Sequence, residues 1–302
     1  MPEWSAEVVV DEAAARSLIE AGFPQLAGGQ LQLLGEGWDS TVWLLDGRWV
    51  FRFPRREVAV PGLRRELEVL PQLAPRLPAA VPEPVFVGEP GAGFPWPWAG
   101  SSYIPGRELA DAALGDDRRI TLAGRLARFL RVLHDTDPAA VGRQLPIDPV
   151  RRSDMPFRVE ATGRRLAQLQ RLGIWHAPAA AKLLLERALA LGPPAAPVLV
   201  HGDLHLRHLL VGDDGGLAGV IDWIDVCRAD PAIDLPLYWA ALPSPARRAF
   251  LDEYGPVTDE QLVRARVLAV FLCATLAEYA AELGMEPLRR EALAGLDRSL
   301  LD

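Results

Sequence analysis

Lysine occurs once in this 302-residue chain, at Lys182, and asparagine does not occur at all. Arginine therefore carries nearly all the positive charge, and any task usually given to Lys or Asn must fall to another residue. The two cysteines, Cys227 and Cys273, are too few and too far apart for a disulfide framework or a cysteine-ligated metal, and both are expected to be reduced. No run approaches the roughly 18 uninterrupted apolar residues of a membrane span. The opening Met1-Pro2-Glu3-Trp4-Ser5 lacks the basic and apolar regions of a secretory signal. A cytoplasmic chain with no membrane partner is the expectation. A formal charge of −8 argues against nucleic acid or an anionic surface as partner and tilts the expectation toward a cationic small molecule.

What is present fits a globular chain with a sizeable core: 50% of the residues are apolar and 24% charged. The N-terminal third reads as strands. Leu31 to Leu34 is followed by Gly35-Glu36-Gly37-Trp38-Asp39-Ser40, then by two β-rich runs, Thr41–Leu45 and Arg48–Phe53, joined by Asp46-Gly47. That dipeptide is a hairpin signal. Leu63, Leu67 and Leu70 predict a helix to Leu73, ended by the proline-rich 75–84. Val85–Val87 and Ser101–Ile104 read as further strands, and Pro105-Gly106 as a turn and lobe boundary. Beyond it the pattern is helical over 122–134, 164–172, 180–191 and from Leu235 onward, interrupted by a β island from Val198 to Trp223.

Three of the five histidines sit in that island, in His201-Gly202-Asp203-Leu204-His205-Leu206-Arg207-His208, between apolar runs. So dense a polar segment suits a loop at the end of a buried strand, where a scaffold can fix reactive groups. Two chemistries are open. The imidazoles of His201, His205 and His208 with Asp203 can be arranged as a zinc site for a hydrolase. Alternatively, Asp203 is a single catalytic carboxylate, and Asp222, at the end of the next apolar run, supplies a ligand to Mg²⁺. Phosphoryl transfer needs mainly positioning and charge neutralisation, which such parts can provide.

His201-Gly202-Asp203 through His208, followed by Ile221-Asp222-Trp223, resembles the H-G-D-x-x-x-x-N and I-D-[WFC] elements of the aminoglycoside phosphotransferase family, relatives of choline and macrolide kinases. Asp230-Pro231-Ala232-Ile233-Asp234-Leu235 and Leu130-Arg131-Val132-Leu133-His134 resemble two further family segments. The resemblance implies an α+β, protein-kinase-like two-lobe fold, with residues 1–105 as a β-rich, nucleotide-binding N-lobe and 106–302 as a helical C-lobe. It implies transfer of the γ-phosphate of ATP or GTP, with Mg²⁺, to a hydroxyl of an antibiotic or metabolite. Asp203 is then the catalytic carboxylate, Asp222 and His208 the metal ligands (His208 standing where the family has Asn, as macrolide kinases also do), and His201 and Asp234 the loop braces. Arg52, in the place of a phosphate-gripping Lys, would pair with Glu66. Gly35, Gly37 and Ser40 would cover the phosphates, and Ser102 and Ile104 would face the adenine. A catalytically silent nucleotide-binding relative is a third reading, motivated by the absent Lys and Asn.

Overall fold

A computed structural model describes residues 6–91, 93–141 and 144–301. Helix α1 (Glu12–Gly22) starts where the Asp11 carboxylate accepts from the Ala14 amide. Strands β1 (Leu31–Glu36), β2 (Ser40–Leu45) and β3 (Trp49–Pro54) follow, then α2 (Val60–Leu73), β4 (Pro84–Gly88) and β5 (Trp98–Ser102). The five strands form one antiparallel sheet in the order β1-β2-β3-β5-β4. Asp46 and Gly47 turn the β2–β3 hairpin with φ of 53° and 66°, the left-handed pair that such a turn requires. The strand expected at 101–104 lies instead at 98–102. Trp98 belongs to the sheet and is 1% exposed, packed against Phe51 and Phe53 in an aromatic core.

The second lobe opens with β6 (Arg107–Glu108) and α3 (Leu109–Ala112), followed by α4 (Asp116–Asp135), α5 (Met155–Arg171) and α6 (Ala179–Leu189). Next come β7 (Val198–Val200), β8 (Leu209–Val211), β9 (Leu217–Val220) and β10 (Cys227–Ala229), and then α7 (Pro236–Ala240), α8 (Ser244–Tyr254), α9 (Asp259–Leu283) and α10 (Glu286–Leu301). The β island is two small sheets rather than one. β7 pairs with β10, whereas β8 lies between β6 and β9. This splitting places the His201–His208 loop after β7 and the Asp222 loop after β9, side by side. The main core gathers around α4 and α9, whose faces of Leu122, Leu126, Leu130, Val267 and Val270 are fully excluded from water. Each such side chain contributes roughly 1.5–3 kcal/mol by burial. Among the described residues no helix is long and apolar enough to cross a membrane, and both cysteines are buried thiols.

Candidate active site

Asp203 and Asp222 face a cavity of about 840 Å³ between the five-stranded sheet and the helices. The loop that carries Asp203 is fixed from below. The Asp234 carboxylate is fully buried and accepts the amides of His201 at 2.6 Å and Gly202 at 2.9 Å. His134 Nε2 approaches the same carboxylate at 3.2 Å while its Nδ1 lies 2.7 Å from the Tyr254 hydroxyl. Burial opposes ionisation of Asp234, but the His134 contact and the nearby His201 and amides outweigh it and hold its carboxyl below the usual range.

The His201 ring is fully buried. Its Nε2–H donates to the Ile221 carbonyl at 3.0 Å, and its Nδ1 accepts the Asp203 amide at 3.2 Å. Both nitrogens are occupied, so His201 leaves the zinc ligand set considered from the sequence. Burial lowers its pKa, and it is a neutral tie between the two loops. Gly202 makes the tie possible. Its φ is +92°, and a Cβ there would lie 2.3 Å from the Asp225 carbonyl oxygen, so only glycine fits.

His208 Nδ1–H donates to the Asp203 carbonyl at 2.7 Å. Its Nε2 is left facing Asp222 Oδ2 at 3.3 Å. His205 stacks on His208 with ring centroids 3.7 Å apart, and its Nδ1 accepts the Arg207 amide at 3.3 Å. Burial and the neighbouring His208 keep His205 well below the ordinary imidazole range. Asp222 itself adopts φ +68°, an uncommon conformation for a residue with a side chain and one found at functional loops.

From the other lobe, Arg52 on β3 donates from Nη1 to Glu66 Oε1 on α2 at 3.0 Å and from Nη2 to Asp222 Oδ1 at 3.4 Å. The pairing of Arg52 with Glu66, rather than with the neighbouring Glu68, is thus present. Arg52, Gly35, Gly37, Ser40, Ser102 and Ile104 all line the cavity, and Glu66 lies behind Arg52, 4% exposed. In the loop after β1 the Gly37 amide donates to Ser40, and Arg55 donates to the Gly37 carbonyl at 2.7 Å. Trp38 on that loop packs edge-on against Tyr279 of α9 at 5.8 Å.

Sequence reasoning missed Arg152. Its Nη2 donates to Asp203 Oδ1 at 2.7 Å and to Asp225 Oδ2 at 2.8 Å. Burial would raise the Asp203 carboxyl, but Arg152, aided by His205 and His208, brings it well below the usual range. The arginine lies 51 residues from its partner, and no local pattern marks it. Two further carboxylates nearby, Asp225 and Asp230, are both engaged. Asp225 pairs with Arg152, and Asp230 is 2% exposed and accepts the Ala195 and Ala232 amides.

The donor set suits a divalent cation. Asp222 Oδ2 and His208 Nε2 stand 3.3 Å apart, close to the roughly 3 Å edge of an octahedron with ligands at about 2.1 Å. Asp203, His205 and His208 also present atoms within 4.8 Å of one another.

Residues 30–266 match the family described as "Phosphotransferase enzyme family". YcbJ, an uncharacterized protein of Bacillus subtilis (strain 168), is 30% identical over 208 residues, which are 63% of this chain and 62% of that protein. The chain thus matches less than two thirds of that relative's length. Among solved structures, the GDP and kanamycin complex of APH(2")-IIia superposes with a TM-score of 0.71 at 23% identity, covering 95% of this chain and 98% of the other. The apoenzyme of macrolide 2'-phosphotransferase MphH from Brachybacterium faecium does so with a TM-score of 0.61 at 24% identity, over 94% and 97%. At these identities the structural likeness establishes the two-lobe α+β fold.

Proposed function

The chain belongs to the phosphotransferase enzyme family, and from that premise we propose that it moves the γ-phosphoryl group of ATP or GTP to a hydroxyl of a small molecule. One observation carries the reading: the Asp203 and Asp222 carboxylates, from separate loops, meet Arg52 of the opposite lobe in a single cavity. Residues 1–105 serve as the nucleotide lobe and 106–302 as the catalytic and acceptor lobe.

In this reading the phosphates lie under Gly35, Gly37 and Ser40. The base lies along Ser102 and Ile104. Arg52, held by Glu66, donates to the phosphates; a guanidinium can do so with two parallel bonds. Asp222 and His208 hold Mg²⁺, which when bound neutralises phosphate charge. Asp203 orients the acceptor hydroxyl and receives its proton as the oxygen bonds to the γ-phosphorus. The bond from that phosphorus to the bridging oxygen breaks, and the nucleoside diphosphate leaves with the electron pair. Asp203 is suited to orientation, because its carboxyl is held ionised and its backbone is fixed on both sides by His201 and His208. The kanamycin and macrolide relatives support a hydroxylated acceptor.

Titration of ATP and GTP with Mg²⁺, followed by product mass analysis over a panel of hydroxylated amines, sugars and acids, tests the reading. Stoichiometric zinc with no nucleotide binding would sink it. Nucleotide binding without turnover on any acceptor would favour the silent relative.

A further inference from the structure

Arg152 and Arg158 flank the start of α5 and both line the cavity that holds Asp203. Arg152 uses one nitrogen, Nη2, for both Asp203 and Asp225. Its Nε and Nη1 have no partner among the described residues. Arg158 is 8% exposed. Its Nε and Nη2 donate to the carbonyls of Arg151 and Val150, and its guanidinium lies against the rings of Phe157 and Phe271, each at 5.2 Å. Among the described residues no carboxylate lies within ion-pair distance of it, and its Nη1 has no partner.

Two guanidinium groups therefore line one cavity, one of them largely buried and with no carboxylate in contact, Asp148, Asp203 and Asp154 acting on it only from beyond ion-pair distance. Burial, and then the nearby Arg152 charge, push Arg158 down to about 10. A buried charge is normally paired, because loss of hydration is otherwise uncompensated. Arg152 binds one oxygen of each of Asp203 and Asp225, and with Arg158 on the same cavity wall two positive groups face two negative ones, so the carboxylates are no surplus of negative charge for an ammonium. The free N–H edges of both arginines suit the oxygens of a planar or tetrahedral anion.

We propose that the acceptor is an acid: a small hydroxylated molecule whose carboxylate or phosphate binds Arg152 and Arg158 while its hydroxyl faces Asp203. This rests on the phosphotransferase reading above and specifies its substrate class. The net charge of −8 acts on a ligand at long range and is screened over about 10 Å, whereas the guanidinium groups would touch it. The anionic group takes no part in bond making. The phosphorus is exchanged between the nucleotide's bridging oxygen and the acceptor hydroxyl, whose proton passes to Asp203 and then to solvent.

The test compares six probes with MgATP and MgGTP: 4-hydroxybutyrate and glycerol 3-phosphate, their neutral counterparts 4-hydroxybutyramide and glycerol, and the cations 4-amino-1-butanol and kanamycin. Nucleoside diphosphate release and product mass are read for each, together with the melting shift each probe causes in the presence of MgADP. The anionic probes should exceed their neutral counterparts at least tenfold in kcat/KM, or in the half-saturating concentration for the melting shift if turnover is slow. Carboxylate and phosphate are told apart by which anion leads. Arg158→Gln should bring the ratio close to one, chiefly through KM, with Arg158→Lys intermediate. If Arg158→Gln fails to fold, Arg152→Gln supplies the same comparison. Preference for the cations, equal use of anionic and neutral probes, or neither turnover nor an anion-dependent melting shift overturns the proposal. Nucleotide binding with any of these outcomes leaves the phosphotransferase reading standing; failure to bind nucleotide removes both.

Discussion

Gly202 controls where Asp203 points. Alanine at this position would need φ near +92° and would press its Cβ against the Asp225 carbonyl, 2.3 Å away. Strain of this kind costs about 1–3 kcal/mol. Gly202→Ala should therefore unfold at lower urea than the parent and lose turnover more than a hundredfold, since small misplacements of reacting groups have that scale of effect; parental turnover would show that the loop's geometry is not required. Asp203→Ala should abolish transfer with nucleotide affinity changed only a few-fold, read by product formation and nucleotide titration. Surviving turnover would remove Asp203 from its role. His208→Asn restores an amide oxygen to the proposed metal position and should keep Mg²⁺-dependent turnover, because the Nδ1–H bond to the Asp203 carbonyl can be replaced by an amide N–H. A collapse would mean that the imidazole does something an amide cannot. At this scale the site was legible where its residues are close in sequence: Asp203, His208 and Asp222 fall within one short segment. Arg152 and Arg158 were not: an arginine near the start of a helix looks like a solvated charge, and only the fold sets Arg152 beside a carboxylate 51 residues away and Arg158 against the rings of Phe157 and Phe271.

Helix α2 is tied to the catalytic face by the absence of a side chain as well as by a bond. A Cβ on Gly62 would lie 2.6 Å from the Ile224 carbonyl oxygen, so the helix rests directly on the chain just past Asp222. Arg65 of the same helix donates to that carbonyl at 2.7 Å. Gly62→Ala should displace α2, draw Glu66 from Arg52 and raise the nucleotide KM by about tenfold, a modest share of what a 1 Å misplacement can cost. Steady-state kinetics against ATP check this, and an unchanged KM would separate α2 from nucleotide binding. The long elements were legible because they repeat. The α4 and α9 helices show apolar residues at helical spacing, and β2 and β3 are β-rich runs around a turn dipeptide. The pairing of β7 with β10 was not. Three-residue strands have no period to read, and their partner is chosen by the surrounding helices. The shift of β5 to Trp98–Ser102 has a similar origin: Trp96-Pro97-Trp98 looks like a loop, yet the sheet needs the Trp98 ring to fill its core.

The whole chain should lose stability in acid. His201 is held neutral below its ordinary value of 6.5 by burial, and His205 likewise by burial and His208. Both then add stability that is complete above pH 6.5 and declines as the unfolded chain begins to bind protons that the folded chain refuses. Asp234, facing His134, His201 and the Gly202 amide, is held below 3.8 and adds stability that is lost as pH falls through its lowered value. His208, Glu66 and Asp39 act in the opposite sense, their raised values favouring the fold at lower pH, but Asp203 and Asp222 join Asp234 in being held below the usual carboxylate range, and with the two imidazoles they outweigh those three. Urea unfolding should thus show a lower midpoint at pH 5 than at pH 7, falling further toward pH 3; a flat profile would contradict the buried neutral rings. The two-lobe architecture was readable in outline, as a β-rich stretch followed by helices, whereas the placement of Arg152 and Arg158 on the cavity wall was not, since net charge sums over the whole surface and says nothing of where each charge lies. The composition also has a practical consequence. The residue proposed to grip phosphate, Arg52, is an arginine, and the chain's one lysine, 81% exposed on α6 beside Glu186, is not among the cleft residues. Acyl-phosphate nucleotide probes, which mark enzymes by acylating an amine beside the bound phosphates, would find no lysine to modify there. If the proposed nucleotide site is right, an inventory made with such reagents would pass over this chain, and guanidine-directed dicarbonyl reagents, with protection by nucleotide, would be the chemistry to use instead.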